Sequence, residues 1–214
     1  ATDAALRRPA LAHDPSHYLL TPRVVVSPRD ADEVAAVLDL ARRHGRHLVF
    51  RSGGTSLSGQ AVADDLLVDT RTHFRSSVVL DGGGEKQAHA FLDGGARLRV
   101  EPGVTVRHAN ARLARHRRRL GPDPASELAC TIGGVVANNS SGMACGTEQN
   151  AYRTLESVVV VLPSGTVVDT SAPDAEESLA AREPALVAGL LELRARGLAD
   201  PESVARIRRA FAMK

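Results

Sequence analysis

Two glycine-rich segments constrain this chain more than any other feature of its sequence. The first, Arg51–Gln60 (RSGGTSLSGQ), directly follows an apolar run at His47–Phe50, and the second spans Thr131–Gly142 (TIGGVVANNSSG). Glycine lacks a Cβ atom, so backbone N–H groups at these segments can approach a ligand closely and form a concave site for an anion. Each segment alone is also typical of a tight turn. Together they favour one extended anionic ligand with two ends, held between two lobes.

The first segment does not match the common nucleotide-binding loops. Its hydroxyl groups, on Thr55, Ser56 and Ser58, suit phosphate oxygens. It has neither the GK[ST] ending of a P-loop nor the GxGxxG pattern of a dinucleotide fold. A nucleoside triphosphatase is therefore disfavoured.

Short apolar runs alternate with helical spacings along the chain. The runs predict strands at Val24–Val26, His47–Phe50, Leu66–Asp69, Val78–Leu80, Leu98–Glu101, Leu155–Leu162 and Thr166–Asp169. Helices are predicted between the first two strands, after Thr105, after a cap at Thr131, from Asp174 to Ala195, and from Asp200 onward. In the helix over Asp174–Ala195, the residues predicted to face inward are Leu179, Leu186, Leu190 and Leu193. The stretch Asp81–Gly95 is expected to be a surface insertion between strands. This mixture predicts an α+β fold and not an all-parallel doubly wound sheet.

Two helix ends carry sequence signals. Before the first long helix, Ser27 is predicted as the cap, Pro28 as the first helical residue and Asp30 as the acid three residues after the cap. The next long helix is predicted to end in the basic run Arg115–Arg119 and to stop at Gly121. Cations suit the negative end of a helix dipole. A structural role for this run is therefore favoured over an anion or nucleic-acid patch.

The amino-acid composition argues against some classes of binding partner and favours one cellular compartment. Of its 214 residues 43% are hydrophobic and only 3% aromatic, with a formal net charge of +2. Because aromatic side chains that could stack on bases are scarce and the net charge is close to zero, a nucleic-acid partner is not predicted. Cys130 and Cys145 lack CxxC spacing, so neither a metal site nor a disulfide framework is predicted and a reduced, cytoplasmic setting fits. No apolar run is long enough to predict a transmembrane segment.

The chain resembles the vanillyl-alcohol-oxidase-type, or PCMH-type, FAD-binding fold over roughly residues 22–170. The matching motifs are, in order, Pro22–Pro28 with its helix, the pyrophosphate loop Arg51–Gln60, Val100–Val104, Gly121–Ser126 and the second FAD segment Thr131–Gly142. The resemblance implies an α+β, PCMH-type FAD-binding fold of two α/β subdomains with FAD between them. The implied organisation is a lead-in over residues 1–21, a first subdomain over 22–80 with the pyrophosphate loop at 51–60, a second subdomain over 81–172, and a helical segment over 173–214.

Within that family the chain resembles the D-2-hydroxyacid dehydrogenases that act on D-lactate, glycolate and D-2-hydroxyglutarate. Gly142–Arg153 and Arg206–Phe211 are similar to the large members that also carry iron–sulfur clusters. The resemblance implies the FAD-binding domain of an oxidoreductase that moves a hydride from a D-2-hydroxyacid to flavin N5. The FAD contacts that it implies are Gly53, Gly54, Thr55, Ser56, Leu57, Gln60, Pro122, Asp123, Ser126, Thr131, Gly133, Gly134, Ala137, Asn138, Ser141 and Gly142. Covalent-flavin subfamilies often place a His where this chain has Thr55, so non-covalent FAD is implied, and Cys130 is interpreted as a packing residue.

The resemblance also implies parts that this sequence does not contain. Family members continue with a further FAD-contacting strand and a substrate-binding cap domain, which would hold the catalytic histidine and any cluster-binding cysteines. We therefore assign no catalytic or metal-binding residue, expect weak or no FAD retention by this chain alone, and regard the chain as part of a longer protein. A small 2-hydroxyacid is the implied substrate, the electron acceptor is unassigned, and peripheral membrane association of the full-length protein stays open. The alternative hypotheses are a non-catalytic or degenerate flavin-fold binding module and, less favoured, nucleic-acid binding through Arg112–Arg119.

Overall fold

The computed structural model describes residues 4–80 and 97–211 and divides them into two compact units. The first unit runs through Leu155 and includes Pro163–Gly165. The second comprises Glu156–Leu162 and the residues from Thr166 onward. The first unit opens with helix α1 (Ala4–Ala10), and helices and strands occur in both units. This mixture confirms the predicted α+β class.

A three-stranded parallel sheet lies in the first unit. Its strands are β1 (Val24–Val26), β2 (Leu48–Arg51) and β3 (Leu66–Asp69), in the order β1-β3-β2. The residues of β3 are all buried, as expected for a central parallel strand that is covered on both faces. The register pairs Arg51 with Asp69, so β2 and β3 end at the same edge of the sheet. The first glycine segment leaves the sheet at this edge.

Helix α2 (Ala31–Arg43) begins later than the sequence predicted. Its N-cap is Asp30, whose carboxylate accepts a hydrogen bond from the Glu33 N–H at 2.8 Å. The prediction that Ser27 caps this helix and that Pro28 opens it is wrong. An acceptor placed three residues closer to the helix reaches the first-turn N–H, and Ser27 instead donates its hydroxyl toward the Asp69 carboxylate at 3.4 Å.

Strands β4 (Ser77–Leu80) and β5 (Arg97–Val100) form an antiparallel pair, and helix α3 (Val106–Leu113) follows them. Thr105 caps α3 as predicted, because its hydroxyl accepts a hydrogen bond from the His108 N–H at 3.2 Å. The side chains that α3 buries are Val106, Ala109 and Leu113. The insertion expected within 81–95 lies outside the described residues.

Helix α3 ends earlier than predicted. A 3-10 turn over Ala114–His116 follows it, and Arg117 then adopts the left-handed conformation with φ of 55°. The Arg117 N–H donates a hydrogen bond to the Ala114 carbonyl at 3.0 Å. The prediction that Gly121 stops this helix is therefore wrong. A left-handed arginine costs only about 1–2 kcal/mol, which the surrounding packing can offset.

Two short helices, α4 (Ile132–Ala137) and α5 (Ala151–Thr154), carry and follow the second glycine segment. Thr131 lies at the N-cap position of α4, but its side chain makes no capping hydrogen bond. The predicted short helix is confirmed and the predicted cap is wrong, since the Thr131 hydroxyl bonds to Ser52 instead. The local core consists of Val106, Cys130, Val135 and Ala151, with Leu120 and Ile132 against it.

The described residues of the second unit form a hairpin and three helices. These are β6 (Val159–Val161), β7 (Val167–Asp169), α6 (Ala175–Arg182), α7 (Pro184–Leu198) and α8 (Pro201–Ala210). The predicted hairpin is confirmed, but its first strand starts after Leu155, because the Leu155 N–H donates to the Ala151 carbonyl at 3.0 Å and closes α5. Asp200 caps α8 through a 3.0 Å hydrogen bond from the Ser203 N–H.

The single helix predicted over Asp174–Ala195 is two helices. A residue before proline avoids the helical backbone, and Glu183 has φ of −132° and ψ of 52° before Pro184. The prediction of inward leucines is wrong for three of them: Leu186, Leu190 and Leu193 are 38%, 54% and 57% exposed. The elements that the structure describes leave this face of α7 open. Among the described residues, no helix has the length and apolar character to span a membrane.

Candidate functional site

The two glycine segments meet at Gly53. A Cβ atom placed on Gly53 would lie 2.5 Å from the Ala129 carbonyl oxygen and 2.9 Å from the Cys130 Cα. Those distances are too short for any side chain, and the crowding atoms belong to the backbone. Glycine at this position therefore allows the first segment to touch the residues that lead into the second.

Ser52 and Pro102 hold this contact together. The Ser52 hydroxyl donates to the Pro102 carbonyl oxygen at 3.0 Å and also hydrogen-bonds to the Thr131 hydroxyl. The Gly133 N–H donates to the same carbonyl oxygen at 2.9 Å, and a Cβ on Gly133 would lie 2.7 Å from the Pro102 Cβ. Thr131 is fully buried. Because a buried hydroxyl without a partner is costly, the Ser52–Thr131 pair fixes the register between the two segments.

Gly134 differs from the glycines around it. A Cβ on Gly134 would meet no heavy atom within 4 Å, although the residue lies inside α4. Gly134 therefore presents an open backbone surface next to the contact between the segments. This is the kind of surface that a ligand can approach closely.

Glycine conformations and internal hydrogen bonds determine the shape of the first segment. Gly54 has φ of +65° and Gly59 has φ of +73°, a conformation in which side chains are strained. The Ser56 hydroxyl donates to the Gln60 side-chain oxygen at 2.8 Å and accepts from the Ser58 N–H at 3.1 Å. These bonds give the segment a compact turn whose Leu57 side chain is 77% exposed.

Asp123 connects the Gly121–Ser126 motif to the end of the second segment. Its carboxylate accepts hydrogen bonds from the Ala144 N–H at 3.0 Å and the Cys145 N–H at 3.2 Å. These bonds, that of Ala144 first, hold the Asp123 pKa below its ordinary value. A Cβ on Gly142 would lie 2.2 Å from the Asp123 carbonyl oxygen, so only glycine fits there.

The end of α4 turns sharply into the rest of the segment. Asn139 adopts the left-handed conformation with φ of 46°, which asparagine tolerates better than most residues. Its side-chain oxygen accepts a hydrogen bond from the Tyr152 N–H at 3.0 Å, and the Ser140 N–H donates to the Val135 carbonyl at 2.9 Å. The second segment is thus tied to α5 and to its own helix.

The structure distributes the predicted FAD-binding residues over three levels of exposure. Pro122 and Thr131 are buried, so their side chains support the segments from inside. The exposed residues are Leu57, Gln60, Ala137, Asn138 and Ser141. The residues of intermediate exposure are Gly53, Gly54, Thr55, Ser56, Asp123, Ser126, Gly133, Gly134 and Gly142. Contact between FAD and any of these residues stays a prediction.

Ser52 and Pro102 lie within the motifs Arg51–Gln60 and Val100–Val104, but the sequence did not predict that they join the two segments. The sequence offered a clue to each role, because Ser52 immediately precedes the Gly53–Gly54 pair and Pro102 opens a short turn before a predicted helix. Cys130, interpreted as a packing residue, is buried in the local core as a free thiol, and burial raises its pKa.

Solved structures of flavoproteins share this fold. The 6-hydroxy-D-nicotine oxidase from Arthrobacter nicotinovorans superposes with a TM-score of 0.62 over 75% of this chain and 32% of its own, at 20% identity. A chitooligosaccharide oxidase superposes with a TM-score of 0.59 over 80% of this chain and 34% of its own, at 19% identity. The fold is therefore that of the PCMH-type FAD-binding flavoproteins, as the motifs implied.

Sequence comparison gives the family. The model of the FAD binding domain family matches residues 22–171, and the chain belongs to that family. It is 34% identical to the glycolate oxidase subunit GlcD of Escherichia coli K12 over 61% of this chain and 24% of that protein. It is 31% identical to the D-lactate dehydrogenase of Archaeoglobus fulgidus over 70% of this chain and 33% of that protein. The chain thus spans about a quarter to a third of the length of these relatives, and the predicted likeness to 2-hydroxyacid dehydrogenases is confirmed.

Proposed function

We propose that this chain holds FAD across its two glycine segments and is the cofactor-binding part of an oxidoreductase that oxidises a D-2-hydroxyacid. The observation that carries the proposal is the backbone contact of Gly53 with Ala129 and Cys130, within a domain of the FAD-binding family. This contact brings the two glycine segments next to each other, which supports a ligand that spans both. The second half of the proposal rests on the relatives, which include glycolate, D-lactate and D-2-hydroxyglutarate enzymes.

The residues present fit an extended anionic cofactor. The turn formed by Gly53–Leu57 offers backbone N–H groups and the Thr55 hydroxyl to a pyrophosphate, and Gly134 on the second segment offers an open backbone surface. Thr55 occupies the position at which covalent-flavin subfamilies often have a histidine. Cys130 is buried in the core, where its thiol packs against other side chains. Both support non-covalent binding. Bound FAD would supply the hydride-accepting chemistry, and this chain would supply binding, orientation and the exclusion of water.

The organisation into subdomains over 22–80 and 81–172, followed by a helical segment over 173–214, forms part of the same proposal. We assign no catalytic base to this chain, because it spans only about a quarter to a third of its relatives. The cytoplasmic location, the electron acceptor and an iron–sulfur cluster elsewhere in the protein stay predictions from the sequence.

The test uses the intact protein, purified with its flavin and kept free of oxygen. D-lactate, glycolate and D-2-hydroxyglutarate are each added, with L-lactate as the matched control. We expect loss of the visible flavin absorbance with at least one of the first three and not with L-lactate. A flavin-containing protein that none of them reduces would contradict the proposed substrate class. A protein that neither contains nor takes up FAD would favour the degenerate module instead.

A further inference from the structure

A polar cavity of about 400 Å³ opens at the edge of the sheet where β2 and β3 end. One wall is formed by Arg51–Gly53 and the other by Asp69, Arg71, Thr72 and Arg75. The cavity thus gathers three guanidinium groups and a single carboxylate. Whether it attracts an anion depends on which of these charges are already balanced by neighbours.

The Asp69 carboxylate is balanced by its own partners. It accepts hydrogen bonds from Arg7 at 2.6 Å, from the Thr72 hydroxyl at 2.5 Å and from the Arg71 N–H at 2.9 Å. Burial opposes ionisation of Asp69, but these bonds keep its pKa below the ordinary value. Arg7, which does not line the cavity, therefore supplies the positive charge for Asp69.

Arg51 is also balanced. Burial lowers its pKa, and the attraction of Asp14 and Asp69 opposes that effect. Asp14 is only 6% exposed, and the Arg51 side chain also donates to the Ala61 carbonyl at 3.0 Å. Repulsion by Arg71 acts on Arg51 in the same direction as burial, so two like charges lie near each other here.

Among the residues that the structure describes, Arg71 and Arg75 have no acidic partner. Both residues are exposed and line the cavity, and within residues 4–80 and 97–211 neither forms an ion pair. Their combined charge matches that of a phosphate group, which carries about −1.5 to −2 near neutral pH. Guanidinium groups also offer phosphate oxygens paired N–H donors in a fixed planar geometry.

We propose that this cavity binds a phosphate group through Arg71 and Arg75, at a site separate from the FAD cradle. Within the described part of the chain, Gly53 is the one predicted FAD contact that lines it, together with Arg51 and Ser52 at the start of the pyrophosphate loop. The phosphate belongs either to free inorganic phosphate or to a larger phosphorylated molecule. The pyrophosphate of FAD itself is the competing source, and the experiment must separate the two.

Isothermal titration of inorganic phosphate into the intact, FAD-containing protein tests the site, with ionic strength held constant by sodium chloride. We expect saturable binding that Arg71→Gln with Arg75→Gln weakens about tenfold or more, since both substitutions remove charged hydrogen bonds to the phosphate oxygens. The matched control is Arg112→Gln with Arg115→Gln, two exposed arginines outside the cavity, which should leave phosphate binding unchanged. Absence of saturable binding, or equal weakening by both pairs of substitutions, would overturn the proposal.

A second arm measures FAD affinity in the same variants after removal of the flavin. A separate site predicts that Arg71→Gln with Arg75→Gln binds FAD as the wild type does. If FAD affinity falls together with phosphate affinity, the two arginines serve the FAD pyrophosphate and the separate site is overturned. This arm does not depend on oxidation of a 2-hydroxyacid, so failure of the proposed substrate class would leave its outcome interpretable.

Discussion

Gly53 lies against the carbonyl oxygen of Ala129, and a Cβ atom at Gly53 would come within 2.5 Å of that oxygen. Gly134, on the second segment, has no heavy atom within 4 Å of the same position. The two glycines therefore have opposite roles. The first allows two backbone segments to touch, and the second leaves a surface open beside the contact.

Gly53→Ala should destabilise the protein by about 1–3 kcal/mol, because the added methyl group meets backbone atoms that cannot move away on their own. Gly134→Ala is the matched control. It should leave stability unchanged or raise it by up to about 1 kcal/mol, because alanine is the better helix former and the space is empty. Unfolding in urea measures both. Equal destabilisation by the two substitutions would contradict the assigned roles.

The sequence located both glycine segments and predicted that they serve one site, but it could not predict the atoms that join them. The resemblance of its motifs, in order, to those of the FAD-binding family implied the fold. The bond between Ser52 and Thr131 depends on residues far apart in sequence, and no local pattern predicts it. Thr131 illustrates the limit: it precedes a helix as a cap should, yet its hydroxyl turns inward to Ser52.

The hydrogen bond between Ser52 and Thr131 should appear as a coupling in a double-mutant cycle. Ser52→Ala and Thr131→Val should each cost about 1 kcal/mol, because each leaves a polar group of its partner without that bond. The double variant should cost less than the sum of the two, by about 0.5–1 kcal/mol. Chemical unfolding of the four proteins measures this difference. Strict additivity would show that the two hydroxyl groups do not interact.

Asp69→Asn should weaken the fold in a pH-dependent manner. The carboxylate accepts bonds from Arg7, Thr72 and Arg71, so its loss should cost about 2 kcal/mol near neutral pH. The pKa of Asp69 is lower in the folded chain than its ordinary value of about 3.9. Its stabilising contribution is therefore present above that value and lost as the pH falls through the folded pKa.

The measurement compares unfolding free energies of wild type and Asp69→Asn from neutral pH down into the acid range. The difference should be constant above about pH 5 and shrink below about pH 4. The control is Asp39→Asn, whose carboxylate pairs at the surface with Arg42 and Arg43 and should contribute less than about 1 kcal/mol. A difference for Asp69→Asn that stays the same, or grows, at low pH would refute the assignment.

The start of α2 gives a direct test of the corrected helix cap. Asp30→Ala should cost about 1 kcal/mol, since the Asp30 carboxylate accepts the Glu33 N–H at 2.8 Å. Asp32→Ala, within the first turn, removes a favourable charge near the helix dipole but no cap, and should cost about 0.5 kcal/mol or less. Thermal unfolding of both variants distinguishes them. A larger loss for Asp32→Ala would contradict the cap.

Other differences from the sequence predictions share one physical origin. Helix ends depend on which nearby group reaches the free N–H or C=O first, and several candidates stand close together in sequence. Arg117 ends the turn after α3 although Gly121 has the better intrinsic preference, and Asp30 displaces Ser27 at α2. The exposed leucines of α7 differ in kind, since amphipathic spacing predicts a buried face but not what covers it.

The central claim is that FAD lies across the two glycine segments, and titration of FAD into the flavin-free intact protein tests it most directly. Binding to the wild type and to Gly134→Ala is measured by the quenching of flavin fluorescence. We expect saturable binding by the wild type and binding about tenfold weaker in Gly134→Ala, which remains folded but has a methyl group on the open surface. Absence of saturable FAD binding by the wild type, or equal affinity in a folded Gly134→Ala variant, would contradict it.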